Sequence, residues 1–405
     1  MCYDRPQMST AFIVLLSVIA LVWLLFAVSP AHRATFRHKL ASGTRIDTDA
    51  ALPAVTIVVP ARNEAAWLPV TVPTYCDQNY PDVRVVVVDD QSEDESPAIL
   101  RELAARYGNL RVVEAPARPA GWCGKPWAVS RGAAAAGTDW LLFTDADCTF
   151  HPLAVRQAVR LMLATGYDLL SLLPTMTFGS TIERVALPGL VTAISMLYPV
   201  GWANDPRRAV ALAAGAFILV RRAAYEKIGG HGAVRSQLIE DINLARKIKA
   251  SGARVHVRMT TDLVSTRMYE GLADLWEGLT KNAYAGMEYH PLKFWAGLVA
   301  ALAVTVLPPV YLLACVTWLA LRPQDRAAWA GLSLAGLVNL LVVATHLPAV
   351  RFLRLPAWHA FLLPVSSGIY TVIAVASAWQ HHFGGGNVWK GRRYDRDMLL
   401  AGTRD

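Results

Sequence analysis

Residues 55–60 read VTIVVP and residues 83–89 read VRVVVVD, and both runs give way to polar chain: Arg62, Asn63 and Glu64 after the first, Asp90, Gln91 and Ser92 after the second. Each run is apolar at consecutive positions and rich in β-branched residues. That is the pattern of a parallel strand covered by helices on both faces, not of a half-solvated antiparallel one. Residues 111–114 (RVVE) and 140–144 (WLLFT) repeat it. Helix-like stretches near 64–76, 94–107 and 125–136 separate the runs. The alternation predicts an α/β nucleotide-binding architecture with a mostly parallel sheet.

In open α/β sheets ligands bind outside the carboxyl ends of the strands. Three polar clusters are expected at that edge: Pro60 to Glu64, Asp89-Asp90-Gln91-Ser92, and Asp145-Ala146-Asp147. In extended backbone Asp145 and Asp147 would face the same side. Adjacent carboxylates repel, so a divalent cation is their natural partner. Mg²⁺ or Mn²⁺ would bind through carboxylate and diphosphate oxygens and neutralise a departing nucleoside diphosphate. By itself a DxD also fits an ordinary loop, and its weight comes from its place. Asp89 or Asp90 suits a base N–H or ribose hydroxyls, while Ser92 and Asp94 suit capping of the next helix. Lys125, in GWCGKP (residues 121–126), is not a P-loop lysine because GxxxxGK[ST] is absent. A helix N-terminus there would still favour phosphate.

Composition points to membrane. The 405 residues are 54% hydrophobic and 17% charged. Residues 11–28 form an uncharged run able to cross about 27 Å of hydrocarbon as a helix. It lacks the basic flank and small-residue cleavage site of a signal peptide, and so reads as an anchor. Arg33, Arg37 and Lys39 follow it and place the next segment in the cytoplasm. Further apolar runs cover 294–321, 329–350 and 358–379. Three crossings would leave the tail outside, yet Lys390, Arg392, Arg393 and Arg396 mark it as cytoplasmic. The run at 294–321, broken by Pro308-Pro309, is therefore expected to be re-entrant or interfacial. Residues 187–202, apolar but short for a crossing, fit an interfacial or a core helix equally. The expected organisation is an anchor and basic linker at 1–49, a cytoplasmic catalytic domain at 50–290, membrane segments at 291–383 and a basic tail at 384–405 with a Gly384-Gly385-Gly386 hinge. The net charge of +8 is spread over loops and flanks, which suits anionic lipid headgroups and not nucleic acid. Cys2, Cys76, Cys123, Cys148 and Cys315 form no CxxC pair and read as small reduced residues.

The ordered set PARNE, VDDQSEDES, GWCGKPWA, DAD and a later Glu-Asp pair resembles glycosyltransferase family 2 with its GT-A fold, over roughly residues 54–289. With the flanking apolar runs, it is similar to the membrane subgroup associated with carotenoid and hopanoid glycosylation. The resemblance implies nucleoside contacts from Pro60, Glu64, Asp89 and Asp90, and diphosphate contacts from Lys125. It implies Asp147 as the main metal ligand with Asp145 beside it. Asp241, in residues 237–243 (QLIEDIN), is implied as the base that deprotonates an acceptor hydroxyl, with inversion by direct displacement. Residues 276–282 (WEGLTKN) depart from the QxxRW motif of processive synthases and resemble a segment of lipid-modifying relatives. There Lys281 would face diphosphate, and Trp276, with Glu240 and Gly215, the acceptor. The expected function is transfer of one sugar from a nucleotide-sugar, expected to be UDP-linked, to a hydroxyl of a lipid. A processive synthase, a sugar nucleotidyltransferase and a non-catalytic membrane scaffold are the rival readings.

Overall fold

The structure is a computed structural model, described here for residues 6–384, 387–389, 392–394 and 398–399. The expectations for Cys2, Gly385, Gly386, Lys390 and Arg396 lie outside the described residues.

The chain opens with helix α1 (Pro6–Val28), α2 (Pro30–Arg37) and a short strand β1 (Lys39–Leu40). The four runs read from sequence are strands β2 (Val55–Ala61), β3 (Val83–Asp89), β4 (Leu110–Glu114) and β5 (Trp140–Phe143). Helices α3 (Leu68–Cys76), α4 (Ser96–Arg106) and α5 (Gly124–Ala135) connect them. Then come β6 (Cys148–Phe150), α6 (Ala154–Thr165), β7 (Leu169–Leu173), β8 (Thr175–Met176), α7 (Thr181–Leu197) and the single turn α8 (Val200–Ala203). Strand β9 (Ile218–Arg221), α9 (Arg222–Lys227), α10 (Glu240–Ala250), β10 (Val255–Thr260) and β11 (Val264–Thr266) complete the sheets. The remaining helices are α11 (Gly271–Ala283), α12 (Pro291–Ala301), α13 (Pro308–Leu321), α14 (Arg326–Phe352) and α15 (Leu363–Phe383). A hairpin of β12 (Asn387–Trp389) and β13 (Arg392–Tyr394) follows.

The main sheet has eight strands in the order β1-β10-β7-β9-β5-β2-β3-β4. Its pairings are parallel except at β9, which runs antiparallel between β5 and β7. The protein is thus α/β with a mostly parallel sheet, as expected. Val55, Ile57, Val58, Val59, Val85, Val87 and Val88 are fully buried, which is why these runs are apolar at consecutive positions. On one face the core gathers Leu68, Val72, Tyr75, Leu100 and Met162, and on the other Val129, Ala133, Tyr225, Leu244 and Ile248. Gly132 is required between them: a methyl there would lie 2.4 Å from Val58 Cγ1. Strand β1 comes from residues that sequence places in the linker before residue 50, and it pairs with β10 at the sheet edge.

Among the described residues three helices are long and apolar enough to cross a membrane, Thr10–Val28, Arg326–Phe352 and Ala357–Phe383, matching three of the expected runs. The run at 294–321 is broken, as its prolines predict. Helix α12 passes into a π-helical turn, Leu302–Val306, and α13 starts at Pro308. Upstream, Gly271–Met287 and Pro291–Val306 meet at a 115° bend. Trp23 Nε1 of α1 donates to Val304 O of the π turn at 2.8 Å, so the widened turn has a partner for its carbonyl. Val14, Leu21, Val299, Leu313, Leu340 and Val372 are all more than half exposed along these helices, an apolar surface that water would not favour.

Helix α7 holds most of the apolar residues 187–202 and joins the two halves. Gly189 faces Ser366 of α15 so closely that a methyl would lie 1.8 Å from its Oγ. Ser366 Oγ and Tyr370 Oη both donate to Ala186 O. Thr192 Oγ1 is 2.7 Å from His346 Nδ1 of α14. Of the two expectations for this stretch, it is a helix packed between the sheet domain and the apolar helices.

Candidate active site

Because β2, β3 and β5 are parallel and adjacent, the polar clusters that follow them share one edge of the sheet. The first two loops are laced together. Asn63 N donates to Ser92 Oγ at 3.0 Å, Glu93 N to Asn63 Oδ1 at 2.9 Å, and Ala65 N to Asp94 Oδ2 at 3.1 Å. Glu64 N donates to Ser96 Oγ at 2.8 Å. Ser92 and Asp94 therefore tie loop to loop as well as supporting the start of α4, where Asp94 Oδ1 accepts from Ser96 N. Asn63 and Gln91 take left-handed backbone (φ 54° and 60°), an uncommon state for residues with a side chain that this lacing holds in place. Pro60 is opposite Val88 in the β2–β3 register, and Asp89 Oδ1 accepts from Ser92 N at 3.3 Å.

The third cluster differs from its expectation. Asp145 and Asp147 do not share one extended strand, since Ala146 and Asp147 form a turn between β5 and β6. The two carboxylates consequently have different neighbours. Asp147 accepts from Thr266 Oγ1 at 3.2 Å and from Cys148 Sγ at 3.4 Å. Asp145 faces Lys125, whose Nζ is 2.6 Å from Asp145 Oδ1 and 2.6 Å from Glu240 Oε1. The turn is fixed from beneath by Tyr75, whose buried hydroxyl donates to Asp145 O at 3.0 Å and to Cys148 O.

Lys125 stands in the first turn of α5, and Glu240 and Asp241 in the first turn of α10, where the helix dipole favours carboxylates. Asp241 Oδ2 accepts from Gly215 N at 3.0 Å and Oδ1 from Ile242 N at 2.8 Å. A methyl at Gly215 would lie 2.6 Å from Lys125 Nζ and 2.7 Å from Asp145 Oδ2. The small residue expected to admit an acceptor here admits the Lys125–Asp145 pair. Lys281, in the last turn of α11, has its pKa lowered by burial and by the neighbouring Lys125, against the raising fields of Glu240, Asp145 and Asp241. Trp276 is on the exposed side of α11, 40% accessible, while Leu275 and Leu279 are buried.

Electrostatics divides these groups. Burial and then the neighbouring Glu240 carboxylate raise Asp241 to about 6, against the opposing pull of Lys125 and the Ile242 N–H. Burial opposes charge on Lys125, but Asp145, Glu240 and Asp241 outweigh it and keep the ammonium protonated. His231, which lines the same small cavity, is held neutral by burial, with a pKa near 3. Its Nδ1 is 2.9 Å from Tyr225 Oη. The arrangement provides a carboxylate that is a stronger base than usual, beside a fixed cation, at the sheet edge where a nucleotide would bind.

Among the described residues no three His, Cys, Asp or Glu side chains converge to hold a metal ion. Asp145 and Asp147 supply hard oxygen donors of the kind Mg²⁺ and Mn²⁺ take, and such ions commonly complete their shell with substrate phosphates and water. The donor set fits a metal held jointly with a diphosphate. Cys76, Cys123, Cys148 and Cys315 are buried free thiols.

Sequence reading missed one contributor. Arg392, on the hairpin after the last helix, donates through Nη1 and Nη2 to the carboxylate of Asp90 and through Nη2 to Asp90 O at 3.1 Å. Its only signal in the sequence was an excess of basic residues.

The family model for glycosyl transferase family 2 matches residues 56–229. The chain is 28% identical over 348 residues to 4,4'-diaponeurosporenoate glycosyltransferase of Staphylococcus aureus strain MRSA252, covering 84% of this chain and 88% of that one. The enzyme from strain USA300 matches over the same span at the same identity. Among solved structures, the mannosyltransferase PcManGT from Pyrobaculum calidifontis, in complex with GDP-Man and Mn²⁺, aligns with a TM-score of 0.48 and 20% identity, over 81% of this chain and 98% of that one. TarS 1-349 of S. aureus in complex with UDP aligns at a TM-score of 0.41 and 15% identity, over 84% and 95%.

Proposed function

We propose, from the premise that this chain is a family 2 glycosyltransferase resembling the carotenoid-associated members, that it transfers one sugar, with inversion, from a UDP-linked donor to a hydroxyl of a membrane lipid. One observation carries the reading: Asp241, raised to about 6, is held by the Gly215 and Ile242 N–H groups in the same cluster as the strand-end Asp145.

Asp241 is the base. At pH 7 a carboxyl with that pKa is ionised about ten to one, yet it holds a proton more strongly than a free aspartate does. The two backbone donors fix its orientation, so it accepts the proton of an acceptor hydroxyl as the oxygen attacks the anomeric carbon. Lys125 and Lys281 place positive charge where the leaving diphosphate gathers negative charge. Pro60, Glu64, Asp89 and Asp90 surround the nucleoside. Asp147 and Asp145 would hold Mg²⁺ or Mn²⁺, which when bound supplies charge neutralisation for the leaving group. Glu240 and Trp276 border the acceptor side.

The acceptor class is supported by the helices packed on the sheet domain through α7 and by the relatives, whose name gives 4,4'-diaponeurosporenoate as what they glycosylate. On this reading the chain is an integral membrane protein. Its catalytic domain, residues 50–290, faces the cytoplasm, with residues 1–49, 291–383 and 384–405 as anchor, membrane segments and basic tail.

The test is a turnover assay on the purified full chain in lipid nanodiscs with a panel of nucleotide-sugars. Nucleoside diphosphate should be released only when a divalent cation and a lipid extract are both present. Release of pyrophosphate would instead identify a nucleotidyltransferase, and a product ladder a processive synthase. No release with any donor would overturn the reading.

A further inference from the structure

The basic segment after the last apolar helix is built into the sheet edge. Arg392 and Asp90 are 302 positions apart, and their side chains are only 14% and 6% exposed. The guanidinium engages both carboxylate oxygens of Asp90, its carbonyl, and Gln91 Oε1 at 3.3 Å. A second arginine, Arg62, donates to the same Asp90 carbonyl at 2.9 Å and pairs with Glu93 at 2.9 Å. Asp90 is thus held from two sides, and Arg392 alone reaches its carboxylate among these contacts.

A separate observation shows that the opposite wall is shaped for this arginine. Gly124 is the first residue of α5, next to Lys125. A methyl there would lie 2.6 Å from Arg392 Nη1, 3.0 Å from Asp90 Oδ2 and 3.3 Å from Tyr394 Oη. Tyr394 is buried, clusters with Cys123 and Tyr284, and has the Arg118 guanidinium over its ring at 5.7 Å. The hairpin therefore bridges the end of β3, on the nucleoside side, to the start of α5, whose lysine meets Asp145.

We infer that Arg392 is a donor-positioning residue: it fixes the Asp90 carboxylate in one orientation and makes the C-terminal hairpin a wall of the nucleotide-sugar site. A buried carboxylate without a cation would either take up a proton or swing toward water, and in both cases a hydrogen-bond acceptor for the nucleoside would be lost. Pre-setting that acceptor lowers the ordering cost of donor binding and leaves the chemical step alone. The inference rests on the transferase reading above.

The experiment measures donor KM and kcat for the full chain in nanodiscs, using whichever nucleotide-sugar the unsubstituted protein turns over. Arg392→Ala should raise donor KM by about tenfold with kcat changed by less than about threefold. Arg392→Lys should recover part of the loss, and Arg392→Ala combined with Asp90→Asn should be no worse than the weaker single variant, because both remove the same arrangement. Arg393→Ala, at the exposed neighbour, is the control for general loss of tail charge. A rise in donor KM of less than about threefold, or a fall marking the hairpin as a plug, overturns the inference. If Arg392→Ala does not fold, Arg392→Gln, which keeps the stem and removes the charge, decides by the same threefold limit at unchanged melting temperature. Turnover by the unsubstituted protein separates the two levels. With it, an unmoved KM defeats only the role of Arg392. Without it, the transferase reading fails and this inference falls with it.

Discussion

Two carboxylates, Glu183 buried and Asp241 partly buried, stand 58 positions apart in the chain and have opposite characters. Asp241 is raised to about 6 and Glu183 is lowered to about 2. Burial pushes both upward, and what differs is the company. Glu183 is fully buried at the start of α7 but accepts from Gly179 N, Ser180 Oγ and Gly271 N at 2.7, 2.7 and 2.8 Å, and pairs with Arg267 at 3.4 Å. Ser180 in turn caps the helix by accepting from Glu183 N, while Glu183 reaches back to the Ser180 hydroxyl and the Gly179 N–H, a variant of the capping box. Asp241 has two backbone donors, and its next neighbour is another carboxylate, Glu240. A satisfied anion ties α7 to the start of α11, and a crowded one is left with affinity for a proton. Burial alone does not separate a structural carboxylate from a reactive one; the count of donors against like charges does.

The largest effect should come from Asp241→Asn, which keeps the shape and removes the base. We expect kcat to fall by about 10³, with no loss of melting temperature, because the ionised group is held at a cost. Turnover within tenfold of normal in the purified variant would break the comparison at its reactive end. Next is Gly215→Ala. The added methyl must displace Lys125 or Asp145 and shift the N–H that holds Asp241, and a loss of about 10–100-fold in kcat/KM is expected from the misplacement. A neutral outcome would show that the close approach has no bearing on catalysis.

The pH dependence sharpens the contrast because the signs are opposite. Asp241 must be ionised to act, so kcat should drop about tenfold per pH unit below about 6. For stability, a raised native pKa means the folded state holds the proton more tightly, so this group's contribution favours folding as pH falls from about 6 toward 3.8. Glu183 does the reverse: its contribution is present above 4.5 and is lost as pH falls toward about 2. Melting curves of Asp241→Asn and Glu183→Gln against pH should remove the two limbs separately. The smallest effect on turnover should be that of Glu183→Gln. It should cost about 1–3 kcal/mol of stability in denaturant while activity per folded molecule is retained. A kcat loss equal to that of Asp241→Asn would mean that α7 does more than join the halves.

Legibility in the sequence followed the range of the interactions. Strands β2 to β5 were visible because burial on both faces writes itself into consecutive residues, and α3, α4 and α5 filled the gaps between them. The break in the run at 294–321 was visible because Pro308 and Pro309 cannot continue a helix. Strand β1 was not, since two residues carry no period, and neither was the reversed β9, because direction leaves no local mark. At the site, Asp145, Glu240, Asp241 and Lys125 were all singled out, yet their mutual geometry was not. Asp145 and Asp147 part company in a turn, and Lys125 spans Asp145 and Glu240. The Asp90–Arg392 pair was hidden for the plainest reason, a separation of 302 residues between a motif and a tail that reads as bulk positive charge.

The account stands most directly on a mass-spectrometric assay of lipid product formed by the purified full chain and by Asp241→Asn, side by side, at pH 7.5 with Mn²⁺, nucleotide-sugar and lipid extract. The account predicts a lipid heavier by a single sugar residue from the unsubstituted protein and a loss of about 10³ in its rate of formation in the variant. Equal rates from the two proteins, or no glycosylated lipid from either, would contradict it.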